Sequence, residues 1–353
     1  MSEKILIAIV GLFAMCGCGK DKSAPDIHTI CLRDDIGNYI IKWEMDPSAD
    51  GKVKVYASNS PEKFDGLNPV SLVDIKDGIT TYISNGNLER KYFKLVFNNK
   101  YSQVVGARYL KLDSVQNMRE IGGYHTKDGN RSIRWGKVFR SGKLAVLSDR
   151  DKGKLSNVKI KTVLDLCSKD EDGTPQENFP NSKIVNIPVP VKDFKETMRR
   201  LRNQEMRKGD GVMSLQDIYL GFVETKEQFG QALKLFTNKD NYPIVVNSSF
   251  GKDRVGYFTM LLLSALDIPE DVIRKDYMYS NEYMDFTPMA SDVHKLNDDT
   301  QEAITVMLHA NEALLDLVYK QIRKEYGSVD KYLSNELGLS DNDRDNLKSI
   351  LLE

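Results

Sequence analysis

The sequence predicts an all-β sandwich followed by an α/β region built on a mostly parallel sheet, and three observations predict it. From about Asp26 to Leu112, short β runs alternate with turn residues and no convincing helical stretch intervenes. Beyond that point, Val163-Leu164-Asp165-Leu166, Ile184 to Pro190 and Ile244-Val245-Val246 read as buried strands. The last of these feeds a tight polar turn and then an apolar helix from Val255 to Leu266. The 353 residues carry a formal net charge of −1, which allows two domains and offers no basic field for nucleic acid.

At the start of the chain, Lys4 precedes an apolar run from Ile5 to Met15, too short to span a bilayer as a helix and too apolar for an ordinary loop. It reads as a secretion signal. Cys18, preceded by the small Gly17, resembles the lipid-modified cysteine of a bacterial lipoprotein; Cys16 follows the larger Met15, and a plain cleaved signal is the alternative. Residues 1–18 are thus expected to be a signal peptide and 19–25 a polar linker. The mature protein is expected at the cell envelope, on the periplasmic or outer-membrane face, held to the membrane by its lipid. Cys31 and Cys167 fall in different expected domains, so no structural disulfide is expected, and no metal-ligand set or cofactor motif is present in the sequence.

In residues 26–112, Tyr39 to Met45 and Lys52 to Tyr56 alternate, punctuated by Asp46-Pro47 and Asp50-Gly51. Thr80 to Ile83, Lys91 to Phe97 and Val104 to Leu110 continue the series. The spacing, with one tryptophan early and a tyrosine late, resembles a fibronectin-III or immunoglobulin-like sandwich. Trp43 is expected in its core.

The chemistry concentrates in Ile244 to Gly256. Gly251 lets the backbone fold closely over a ligand, the amides of such a turn form a concave nest for phosphate oxygens, and a guanidinium at Arg254 grips two of them side by side. The nucleotide-type P-loop is excluded because Asp253 follows Lys252 where a hydroxyl residue is required. The spacing resembles instead the C-x5-R signature of protein-tyrosine and dual-specificity phosphatases, in the bacterial branch whose loop reads roughly H-C-x-x-G-K-D-R-T-G. That resemblance implies the α/β phosphatase fold, a phosphorylated protein or small phosphomonoester as ligand, and Ser249, Phe250, Gly251, Lys252, Asp253 and Arg254 as the phosphate cradle. In the family's chemistry a thiolate attacks phosphorus, the arginine steadies the equatorial oxygens and an aspartic acid protonates the leaving oxygen.

Counting back from Arg254, the nucleophile's position holds Ser248. A thiol with a pKa of roughly 8.5 is brought to the thiolate by a nest of dipoles; a hydroxyl is not, and needs a general base. Asn247 stands where the family usually has histidine, and Val255 where it has a hydroxyl residue. The expectation is a phosphate cradle that has lost its nucleophile, with activity absent or crippled. Two origins fit: a natural pseudophosphatase, which Asn247 and Val255 favour, or a change at Ser248 alone.

The resemblance runs through most of 113–353. Asn117 to Tyr124 is similar to N-F-R-D-L-G-G-Y, Val138 to Leu144 to F-R-S-G-x-L, Val163 to Leu166 to V-I-D-L, Asp276 to Asn281 to D-Y-x-x-S-N, and Tyr326 to Leu333 to Y-G-S-x-x-x-Y-L. These read as packing signatures. Ser148 is expected to cap a helix. Cys167 stands where the family commonly has arginine and is expected near the crevice at the strand ends, more as a buried thiol than a nucleophile. For the acid, the resemblance favours Asp253 and leaves Asp193 as the alternative; a solvated or capping carboxylate is the competing reading of each. Lys195 to Lys208 reads as a basic helix over the crevice, and Ile304 to Ile322 as one helical stripe. His294 and His309 read as ordinary surface or core histidines.

Overall fold

A computed structural model describes residues 25–86, 88–168, 182–287 and 292–353. The expected leader, with Cys16 and Cys18, and all of the linker before Pro25 lie outside the described residues. Among the described residues no helix is long and apolar enough to cross a membrane.

The N-terminal strands are β1 (Asp26–Arg33), β2 (Tyr39–Asp46), β3 (Lys52–Ser58), β4 (Ser71–Asp74), β5 (Ile79–Tyr82), β6 (Tyr92–Phe97) and β7 (Tyr101–Gly106). They form an antiparallel sheet β1-β2-β5 and a second, β4-β3-β6-β7. Alternate side chains point inward, so Tyr39, Ile41 and Trp43 of β2 meet Val53, Val55, Phe93, Leu95 and Phe97 in one core. Trp43 is buried and donates its indole N–H to Ile75 O at 2.8 Å. Two strands escape the sequence pattern. β1 leaves Ile30 and Leu32 exposed, which hides its alternation, and β4 is only four residues long. The last strand ends at Gly106 rather than Leu110 because Tyr101 opens it.

A third sheet has the order β11-β10-β12-β9-β8, with β8 (Arg119–Glu120), β9 (Val138–Ser141), β10 (Thr162–Asp165), β11 (Lys183–Asn186) and β12 (Ile244–Asn247). All pairs but β8–β9 are parallel. Strand β12 is central and buried throughout. Ile244 and Val246 face a core built with α3 (Lys208–Glu224), α4 (Lys226–Phe236) and α5 (Asp253–Ala265), while Val245 faces α1 (Asp149–Val158) on the other side. Both faces are therefore covered, which is why these strands read as continuous apolar runs. Ser148 caps α1, accepting from Asp151 N.

Two expected helices are divided. The basic segment forms α2 (Phe194–Arg202), and Lys208 already belongs to α3; between them Gln204 takes a left-handed conformation and accepts the Asn297 N–H at 2.7 Å. The 304–322 stripe belongs to α8 (Asp298–Leu308) and α9 (Glu312–Tyr326), with α6 (Glu270–Met278) and α7 (Ser280–Tyr283) preceding them. Asn281 interrupts it by taking both the N–H and the C=O of Ala310, at 2.7 and 2.9 Å, and Asn311 then caps α9.

The β-sandwich and the third sheet are joined by buried polar and aromatic contacts. Glu120 accepts from Arg90 at 2.5 Å and from Tyr92 at 3.1 Å, and also from Gly136 N. Trp135 enters the β-sandwich core and donates to Val104 O at 3.0 Å. Gly122 and Gly123 make room for its ring: a Cβ on either would sit within 2.8 Å of it. The paired glycines are thus a packing requirement. Removing Glu120 strands the buried Arg90 cation, so Glu120→Ala is expected to cost about 3–5 kcal/mol in urea denaturation; an unchanged midpoint would show that the pair holds nothing together.

Candidate phosphate-binding site

The site lies where three parallel strands end in register, Asp165 beside Asn247 and Asn247 beside Ser141. This is the carboxyl edge, where open α/β sheets take ligands. From Asn247 the chain turns at once: Gly251 N donates back to Ser248 O at 3.2 Å, and α5 starts at Asp253, bringing its positive end to the turn. Gly251 has φ +64° and packs on the Ser141 carbonyl so closely that any Cβ would overlap it.

Arg254 folds back over this turn. Its Nη2 lies 2.9 Å from Ser249 Oγ, and its Nη1 is 3.4 Å from the carbonyls of Leu166 and Val189. The guanidinium is buried, held between the segments that follow β10, β11 and β12. Ser248 is buried at the base of the loop, and both line a cleft of about 780 Å³ together with Ser249, Phe250 and Asp253.

The sequence motifs read as packing signatures converge beneath the loop. Asn117 donates through Nδ2 to the carbonyls of Phe250 and Gly251, at 3.1 and 3.0 Å. Arg140 donates to Gly251 O at 2.8 Å and to Asp276 at 2.6 Å. Arg119 binds the same carboxylate at 3.4 Å and Asp276 O at 2.8 Å, and its Nη1 is paired with Asn117 Oδ1. Tyr124 donates to Asp276 at 3.0 Å. Burial pushes the Asp276 carboxyl up, but the two guanidinium groups outweigh it and hold it down at about 2; burial and Arg140 push Arg119 down to about 10. At neutral pH the Asp276 carboxylate and the Arg119 guanidinium are both charged.

The candidate acids separate. Asp253 faces the cleft and accepts from Tyr219 OH at 2.8 Å; Tyr219 in turn contacts Tyr277 OH at 2.6 Å. Burial, then the nearby Asp253 charge, raises the Tyr219 phenol well above its ordinary value, so it stays a donor. Asp193 is exposed at the start of α2, makes no side-chain cap and does not line the cleft. Lys252 turns its ammonium away, to Met307 O at 2.9 Å, His309 O at 3.4 Å and Asp253 at 2.9 Å, so only its backbone borders the loop. Cys167 is half-buried, donates its N–H to Asp165 at 3.0 Å and does not line the cleft. Helix α2 also differs from the expected basic lid. Arg199 and Arg200 are tied to Glu196, Glu205 and Asp210, while Phe194, Met198 and Leu201 face the cleft. His309 is exposed, its Nδ1 2.8 Å from Thr305 O.

A buried central strand, a glycine-bearing loop and an arginine on the first turn of a buried helix define the architecture of the C-x5-R phosphatases. The profile of the tyrosine phosphatase family matches residues 110–353, and the chain belongs to that family. A Cupriavidus necator protein assigned to the tyrosine-protein phosphatases is 28% identical over 242 residues, spanning 67% of this chain and 86% of that one. The triple specificity protein phosphatase PtpB of Mycobacterium tuberculosis is 25% identical over 278 residues, 69% of this chain and 98% of that one. Among solved structures, the core catalytic domain of the S. cerevisiae phosphatase SIW14 is 14% identical over 53% of this chain and 91% of its own, at a TM-score of 0.28, too loose a likeness to carry argument.

The Asp276 cluster predicts a pH dependence. Its carboxyl is held below the ordinary value of 3.8, so its contribution to stability is present above about pH 4 and lost as the pH falls toward about 2. Asp276→Asn is expected to remove that part of the acid-unfolding slope and to cost about 3–5 kcal/mol at neutral pH; a variant with wild-type stability and slope would contradict the arrangement.

Proposed function

We propose that residues 248–254 seat the phosphoryl group of a phosphate monoester, with Arg254 across two equatorial oxygens and the loop backbone around the third. The observation that carries the reading is the Arg254 side chain folded over its own loop, 2.9 Å from Ser249 Oγ and above Ser248. Asp253 is the carboxyl that lines the cleft beside the loop, with Tyr219 fixing its orientation; it serves as acid to a leaving oxygen only after taking up a proton against its pairing with Lys252.

Ser248 sets the limit on turnover. Among the described residues no carboxylate or imidazole reaches its hydroxyl: the neighbouring Asn247 amide is 3.4 Å from Asp165, and Asp165 itself accepts from Cys167 N. An alcohol without a base stays un-ionised at neutral pH. The protein is accordingly a phosphomonoester-binding member of its family with hydrolysis lost or crippled. Asn247 and Val255 support the second reading, a pseudophosphatase that holds phosphorylated ligands or a partner, because they alter the loop beyond its nucleophile.

The same proposal places the protein at the cell envelope, tethered through Cys18. The N-terminal strands, seven in two antiparallel sheets, support a fibronectin-III-like spacer between tether and site. In cell fractionation Cys18→Ser should move the protein from membrane to soluble fractions; an unchanged distribution removes the lipid anchor.

Purified protein should bind vanadate or inorganic phosphate, and Arg254→Ala should weaken that binding roughly 10- to 100-fold by loss of a charge-assisted bidentate contact. Equal affinity in the variant would refute the clamp. Ser248→Cys should raise aryl phosphate turnover by about 100-fold or more. If it stays as silent as the parent, Asn247 and Val255 have disabled more than the nucleophile.

A further inference from the structure

The cleft beyond the loop is larger and less polar than a phosphoryl group or one aromatic ring requires. It encloses about 780 Å³, within the range of sites that take a whole small molecule. Its polar end is Ser248, Ser249, Asp253 and Arg254; its walls are chiefly apolar. Phe194, Met198 and Leu201 of α2 face it from one side, and Leu296, Ile304 and Met307 from the α8 side. None of these six is buried by the protein. A row of half-exposed apolar side chains around a cavity is unsatisfied surface until something apolar covers it.

Two kinds of phosphate monoester could reach a floor of this kind. A phosphopeptide brings an N–H and a C=O with every residue, each costly to bury without a partner. Among the described residues the walls offer few, with Thr197, Arg202 and Asp292 the polar side chains beyond the loop end. A hydrocarbon chain makes no such demand and gains with every methylene it covers. The geometry points to a single-chain amphiphile as the ligand: an alkyl- or isoprenyl-type phosphate monoester, its phosphate on the Arg254 loop and its chain laid between α2 and α8. This inference rests on the phosphate-binding reading of the loop and adds the substrate class. It also accounts for α2, whose Arg199 and Arg200 are engaged with carboxylates while its apolar side, with Arg202 at its end, lines the cavity.

The test is calorimetry on the intact chain with inorganic phosphate, ethyl, hexyl and decyl phosphate, phosphotyrosine and a phosphotyrosine peptide, below the micelle-forming concentration of each amphiphile. Affinity should rise roughly two- to fourfold per methylene along the alkyl series, and the peptide should bind no more tightly than phosphotyrosine. Met198→Asn and Leu296→Asn, both at partly exposed positions, should flatten the chain-length dependence and leave inorganic phosphate affinity unchanged. Arg254→Ala should lose all of these ligands. If inorganic phosphate binds but chain length has no effect, or the peptide binds more tightly than decyl phosphate, the amphiphile is wrong and the loop reading stands. Decyl phosphate binding equally well to Arg254→Ala would mean apolar adsorption and overturn the inference. Failure of every phosphate to bind overturns the loop reading and this one together.

Discussion

A buried carboxylate between two buried guanidinium groups is the constraint on which the site depends. Asp276 bridges Arg119 and Arg140, leaving the trio one positive charge in excess, and Arg140 donates through Nη2 to the Gly251 carbonyl. Three charges out of water are tolerable only when they are paired and hydrogen-bonded; Tyr124, Asn117 and Ser280 add bonds to Asp276 and Arg119, and among the described residues only Arg140 Nε of the trio is left without a partner. The loop cannot uncurl without leaving Arg140 short of an acceptor. Its shape is therefore fixed before any ligand arrives, which is the preorganisation that oxyanion recognition needs.

The same economy explains why a loop with an altered nucleophile position keeps its form. Nothing in the supporting cluster touches the Ser248 hydroxyl, so the scaffold does not depend on which small side chain stands at that position. Asn247 is costlier: its Oδ1 is buried without a protein partner among the described residues. Val255 has the opposite character, fully buried in the core that receives α5. One neighbour of the loop has thus become an ordinary core residue, while the other remains a polar group held against Asp165.

Much of this was legible in the sequence, and what was not has physical reasons. The buried strand and helix around the loop could be read because both faces of a parallel sheet demand apolar side chains, and the glycine and arginine spacing fixed the loop. The roles of Arg119, Arg140 and Asp276 were not legible. They stand 157 and 136 residues apart along the chain, and only the fold reveals that three separate motifs serve one carboxylate. Tyr219 carried no signal at all, since its hydroxyl meets Asp253 across 34 residues from a helix that reads as core. The basic character of α2 was only partly informative, because charge counts register which residues are present and not which face they occupy: Arg202 lines the cleft, while Arg199 and Arg200 are tied to carboxylates. The aspartates divide by placement: Asp253 is fixed to the first turn of a buried helix and lines the cleft, whereas Asp193 is exposed at the start of α2 while its neighbours Val191 and Phe194 line the cleft.

The account stands on the seating of a tetrahedral oxyanion between the loop backbone and Arg254. The most direct measurement is a crystal structure of the protein soaked in tungstate, located by its anomalous scattering. The account predicts a single ordered tungsten peak cupped by residues 248–254, with its oxygens within hydrogen-bonding distance of the Arg254 guanidinium. A fully soaked crystal with no peak there, or with tungstate ordered only elsewhere on the molecule, would contradict it.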